Sequence, residues 1–182
     1  SVNCRYNAAN RHEILQSRVD SVKVVELAIQ TVNVRPKVWL QAGTATIYAH
    51  RFDAGNEERS GIIGGAEDFA PDTWRFSIDV AKAWENALHD TAVDGVRKVI
   101  LRTAMTMSPD KNGVFDVYKT LVYRGLGGAA GDGKQYVSWI HEVDFVNALR
   151  FIVANENLDG PINVCSPNPL PNGQFMKILR DL

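Results

Sequence analysis

Cysteine is nearly absent: only Cys4 and Cys165 occur among 182 residues, far apart and in no CxxC spacing. That excludes a disulfide framework and a cysteine-based zinc site, and fits two reduced thiols. Neither sign of charge is in excess, with 20 lysines and arginines against 21 aspartates and glutamates and a formal net charge of −1. No broad positive field is available to condense on phosphate backbones or anionic lipid, so the expected partners include no nucleic acid and no membrane. Long apolar runs are missing too. None approaches the about 20 residues of a spanning helix, and Ser1 to Tyr6 has no apolar core of a secretion signal. Internal repeats and low-complexity segments are also absent. A soluble, cytoplasmic protein is expected.

With 45% hydrophobic residues the chain can bury one substantial core. From Ala8 to Thr31, Ile14, Val19, Val22, Val25, Leu27 and Ile29 read as lying mainly on one stripe, which predicts a long amphipathic helix. VWLQA, Val38 to Ala42, follows a turn containing Pro36 and reads as a buried strand. The stretch from His50 to Asp72 has neither period and carries Gly55, Gly61, Gly64, Gly65 and Pro71, so it reads as a long loop over a site. A helix from Thr73 to His89 and a strand from Val96 to Ala104 repeat the first helix and strand. This rhythm is that of a parallel α/β sheet.

Beyond Pro109 the spacing predicts a helix over Val114–Tyr123, a glycine-rich turn over Gly125–Gly133, a strand over Tyr136–Ile140 and a helix over Glu142–Ala154. A strand over Pro161–Cys165, a proline-rich loop and a final helix from Gly173 to Leu182 complete the reading. That helix reaches the last residue without a stop signal, so the C-terminus reads as cut.

Three places could carry chemistry. Gly43 and Thr44 stand directly after VWLQA, and in an open parallel sheet ligands bind where strands end, so the Thr44 hydroxyl can reach a substrate carbonyl or alcohol. Thr44 and Thr46 could equally cap local backbone. On the second helix Ser77 and Ala81 share a face, as do Ile78 and Lys82; Trp74, Phe76 and Trp84 read as packing residues and Lys82 as solvated. His141 and Asp144 lie at a helix start, where a histidine can cap and an acid suits the first turn; two such groups with no third make a poor metal site. The glycines from Gly125 to Gly133 follow a helix and precede a strand, the reverse of a phosphate-cradling loop, and no GxGxxG or GxxxxGK motif occurs elsewhere.

QAGTATIYAH, DTWRFSIDVAKAWENAL, VILRTAMTMSP and GDGKQYVSWIHEVDFVNAL resemble, in order and spacing, the latter part of extended short-chain dehydrogenases/reductases. SRVDSVKVVELAI followed by VWLQAGTATIY resembles the atypical epimerase/dehydratase-like subgroup whose substrate is unestablished. The resemblance implies an α/β, Rossmann-like parallel sheet with helices on both faces, its N-terminal strands missing, plus a small C-terminal substrate lobe. The division it suggests is residues 1–108 for the nucleotide-binding part and 109–182 mainly for the lobe. It implies NAD or NADP in the complete protein and a small-molecule substrate. It places Ala42, Gly43, Thr103 and Ala104 near the cofactor, Thr44 and Ser77 in the catalytic positions, and Tyr48, Met105 and Trp139 in the substrate pocket.

The family's Tyr-x-x-x-Lys pair falls, with Glu85 as anchor, on Ser77 and Ala81, which provide neither the acid nor the charge. Met105 and Val137 stand where nucleotide-sugar epimerases carry Asn and Arg, which weakens the case for a diphosphate-sugar substrate. Two readings follow. One is an NAD(P)-dependent oxidoreductase or epimerase, inactive or incomplete as this fragment. The other is a non-catalytic interaction module that self-associates through the exposed edge of the strand at Val38 to Gln41.

Overall fold

The computed structural model describes residues 4–68 and 70–181. In chain order the elements are α1 (Ala8–Thr31), β1 (Val38–Ala42), a 3-10 turn (Ala45–Ile47), α2 (Asp72–His89) and β2 (Arg97–Thr103). They are followed by β3 (Met105–Met107), α3 (Val114–Tyr123), β4 (Tyr136–Val137), β5 (Trp139–His141) and α4 (Glu142–Ala154). Last come β6 (Gly160–Val164), β7 (Leu170–Pro171) and α5 (Asn172–Asp181); the expected helix end at Leu182 lies outside the described residues. The chain forms two compact units, one through Ala49 with Asn56–Arg102 and Asn155–Ile162, the other His50–Gly55, Thr103–Ala154 and Asn163 onward.

In the first unit α1 begins where the Asn7 side chain accepts from the Asn10 N–H at 2.8 Å, satisfying one of the amides a helix start leaves unpaired. Only Ile14, Val22 and Ile29 of α1 are buried, about two turns apart each time, so the buried stripe is narrower than the sequence pattern predicts. Leu27 is 61% exposed and Val25 38%. At 3.6 residues per turn Leu27 lies about 160° round the helix from Ile29 and cannot share its face. Ile14 packs with Phe76 and Val80 of α2, while Val22, Ile29, Trp39 and Leu88 form a second cluster.

β1 and β2 pair in parallel, Val38 beside Arg97 through Ala42 beside Leu101, with α2 as the crossover between them. Ile100 packs into the same cluster as Trp39, whereas Val99 and Leu101 alternate to the opposite face and are 0% and 5% exposed. Both faces of β2 are therefore covered, as a parallel sheet requires. The strand order is β1-β2-β6, so β1 is an edge strand among the described residues. The expected α/β parallel sheet is present.

In the second unit β3 pairs in parallel with β5, and β4 antiparallel with β7. The expected single strand from Tyr136 to Ile140 is thus two strands in two sheets, broken at Ser138. β3 and β7 were not foreseen, being three and two residues long. Met107, Val137, Phe175 and Met176 form the core of this unit. Its glycine-rich stretch is a turn docked on α5. Gly133 adopts φ 72° and accepts from the Gly173 N–H at 2.9 Å, while the Asn172 side chain accepts from the Ala130 N–H at 2.8 Å. His141 caps α4, its Nδ1 accepting from the Val143 N–H at 3.2 Å.

Among the described residues no helix is long and apolar enough to cross a membrane, and no cluster of three or more His, Cys, Asp or Glu could hold a metal.

Candidate functional site

The site starts at the C-terminal end of β1. Gly43 donates to Leu101 O at 2.9 Å, extending the β1–β2 ladder by one bond. A Cβ on Gly43 would stand 3.0 Å from Ile100 Cγ2 and 3.1 Å from Leu101 O, so the strand end approaches β2 more closely than a side chain permits. Thr44 then caps the 3-10 turn: its Oγ1 accepts from the Thr46 N–H at 3.2 Å and donates to Thr46 Oγ1 at 3.0 Å. The capping residue also lines an open cleft of about 340 Å³.

Ser77 and Ala81 of α2 line the same cleft, so the structure brings Thr44 and Ser77 together. Ser77 Oγ donates back to Thr73 O at 3.0 Å. Ala81 is 3% exposed, packed with Ile47 and Tyr48, and brings no cation to the cleft. Phe76, Val80 and Trp84 form apolar wall, and Arg18 of α1 adds a cation. Trp84 accordingly both packs on the core and faces the cleft. A second hollow of about 380 Å³ runs along the N-terminal part of α1 and contains none of the sequence candidates.

Tyr48 is 8% exposed and is built into a buried polar network rather than into the wall of this cleft. Its hydroxyl accepts from Arg102 Nη1 at 2.8 Å, and the Arg102 guanidinium donates to both carboxylate oxygens of Glu85, at 2.9 and 2.7 Å. Hydrogen bonding to Glu85, then to Tyr48, holds Arg102 above its ordinary pKa against the opposing effect of burial. The sequence reading did not anticipate the Arg102 network. Its one signal was a lone cation inside the apolar run VILRTA.

The loop after Tyr48 is fastened by an isolated antiparallel bridge between Tyr48 and Ile63, and Gly64 donates to Ile47 O at 2.9 Å. Lys82, expected in solvent, instead donates from Nζ to Gly64 O at 3.0 Å, tying the loop to α2.

In the second unit Met105 and Trp139 are register partners in the β3–β5 ladder, and both are half-buried. Trp139 Nε1 donates to Asn168 O at 3.2 Å. Of the cofactor candidates, Ala42 is exposed, Gly43 and Thr103 are half-buried, and Ala104 is buried with its N–H donating to Val164 O at 3.1 Å.

These residues do not by themselves fit a dinucleotide's pyrophosphate, which needs glycine-rich backbone leading from a strand into a free helix N-terminus. β1 leads only into a 3-10 turn. The loop from β3 to α3, residues 108–113, has a single glycine, and β5 runs directly into Glu142 and Asp144 of α4.

No protein-family model matches the chain. It is 30% identical over 176 residues to the epimerase family protein Mb2239 of Mycobacterium bovis, covering 94% of this chain and 52% of that protein. It is 31% identical over 176 residues to the epimerase family protein YfhF of Bacillus subtilis, covering 96% and 54%. Over most of its length the chain is similar to the epimerase family proteins. It spans about half the length of the relatives it matches.

The fold agrees with that grouping. The human epimerase family protein SDR39U1 (isoform 2), crystallised with NADPH, superposes with a TM-score of 0.79 at 24% identity, over 97% of this chain and 57% of that one. A nucleoside-diphosphate sugar epimerase from Corynebacterium glutamicum gives 0.76 at 26% identity, over 97% and 36%. The chain therefore has the expected Rossmann-like α/β architecture.

Proposed function

We propose that this chain forms the substrate-oxygen side of an NAD(P)-dependent epimerase/dehydratase-like oxidoreductase and is incomplete for that reaction by itself. The observation that carries the reading is Thr44, a hydroxyl at a parallel strand's C-terminal end that shares a cleft with Ser77. Thr44 Oγ1 donates only to a neighbouring hydroxyl, so rotation about one bond turns its proton toward a substrate carbonyl or alcohol. Ser77 stands in the cleft wall, and the fixed ring of Tyr48 packs behind it against Ala81. Because Ser77 and Ala81 stand in the two positions, Thr44 polarises an oxygen without a tyrosine–lysine acid–base pair beside it.

The names of the relatives and the NADPH of the human structure support a nicotinamide cofactor in the complete protein, its phosphates held by residues other than those described here. A reducing, cytoplasmic setting goes with this reading, since neither Cys4 nor Cys165 is in a disulfide.

Amide chemical-shift mapping with NADPH, and with nicotinamide mononucleotide as the phosphate-poor half, tests it. Saturable shifts are expected at Ala42 to Thr46 and at Ser77, reduced in Thr44→Val. A folded chain in which both probes leave these amides unmoved would overturn the reading.

The open edge of β1 favours a second reading, an interaction module whose sheet is completed by another copy. Sedimentation decides it: a concentration-dependent dimer abolished by proline at Leu40 supports the module, and a strict monomer removes it.

A further inference from the structure

We propose that the cleft beside Thr44 binds a small organic carboxylate with an apolar body, the carboxylate meeting Arg18. The proposal rests on the reading of Thr44 given above and names the class of molecule whose oxygen it meets. Among the described residues the lining holds one cation, Arg18, the hydroxyls of Tyr6, Thr44, Thr46 and Ser77, and no acidic side chain. A site built of donors without carboxylates selects anionic oxygen.

Arg18 is poised for such a ligand. Its guanidinium lies over the Trp84 ring, 5.3 Å from the ring centre. No described ion pair includes it, and its described hydrogen bond is a 3.3 Å contact from Nη1 to the hydroxyl of Ser17. Trp84, on the same wall, has its Nε1 buried without an acceptor among the described residues. With that nitrogen closed off from solvent, Trp84 serves the cleft as apolar wall and not as a donor.

The remaining wall is apolar, through Phe76 and Val80, and about 340 Å³ suits a ligand of small-molecule size. One cation against apolar walls matches a monoanion better than a phosphate dianion.

Calorimetric titration with benzoylformate, an aromatic 2-oxo acid, against its methyl ester and inorganic phosphate tests the proposal. The proteins are the natural chain, Arg18→Gln, Arg18→Lys and Thr44→Val, each checked for folding by circular dichroism. Benzoylformate is expected to bind saturably. Arg18→Gln should weaken it about tenfold or more, and Arg18→Lys should retain part of the affinity. The uncharged ester should bind the natural chain about as weakly as the acid binds Arg18→Gln.

The proposal is overturned if the acid does not bind, if acid and ester bind alike, if Arg18→Gln binds as the natural chain does, or if phosphate displaces the acid at equal concentration. The Thr44 reading fails separately. If Thr44→Val leaves the affinity for the acid unchanged while Arg18→Gln lowers it, the carboxylate site stands without it. If Thr44→Val weakens acid and ester equally and Arg18→Gln weakens neither, only the carboxylate is lost.

Discussion

Arg102 of β2 and Glu85 of α2 face each other through two parallel N–H···O bonds of 2.9 and 2.7 Å, with side chains only 7% and 14% exposed. This fork joins the crossover helix to the end of the strand it leads into, and through the Tyr48 hydroxyl it reaches the turn that begins at Thr44. Removing one partner leaves the other charge buried and unpaired. Arg102→Met is therefore expected to cost about 3–5 kcal/mol in urea unfolding. Arg102→Met combined with Glu85→Leu should cost less than the sum of the single changes, and strict additivity would show that the two are not coupled.

The narrow stripe of α1 and the buried face of α2 make a contrasting pair. Leu88 is 1% exposed, and Leu88→Ala is expected to lose about 2–5 kcal/mol. Leu27 is 61% exposed, and Leu27→Ala should change stability by less than about 0.5 kcal/mol. Comparable losses at both positions, read from thermal midpoints, would contradict the described orientation of α1.

That contrast marks how far the sequence could be read. The bounds of α1, α3 and α4 follow from local periodicity and coincide with the helices seen, Ala8–Thr31, Val114–Tyr123 and Glu142–Ala154. The face of α1 did not follow, because apolar residues alone do not tell which side meets α2. β3 and β7 owe their existence to partners distant in sequence, and two or three residues carry no period. Thr44, Ser77 and Ala81 were legible as a strand end and a helix face. Arg18 was not, because its place beside Trp84 is set by the packing of α1 on α2.

Gly43 gives a third prediction. With a backbone oxygen 3.1 Å from the position of an added Cβ, relief requires the strand itself to shift. Gly43→Ala should cost about 1–3 kcal/mol and displace the Thr44 and Thr46 amide resonances. An unperturbed spectrum would show that the strand end is looser than described.

Acid titration gives a fourth. Arg51 grips Asp53 with bonds of 2.8 and 2.6 Å, and this pairing lowers the Asp53 carboxyl from its ordinary 3.8 to about 2. A carboxyl depressed in the folded state contributes stability that is complete above its unfolded value and fades as pH falls from about 3.8 toward about 2. Asp53 is largely exposed, so the effect is small and weakened by salt. In Arg51→Gln the Asp53 carbon resonance should titrate near 3.8 instead, and an unchanged midpoint would rule out Arg51 as the cause.

Ser138 separates Val137, paired with Leu170, from Trp139, paired with Met105. A chain that changes sheets within one residue cannot slide in one ladder without dragging the other, and a slip of one place would turn buried Val137 and Ile140 outward together. Two- and three-residue strands would be marginal in isolation. Joined back to back, they work as a ratchet with two pawls, so alignment errors in either ladder are corrected by the other.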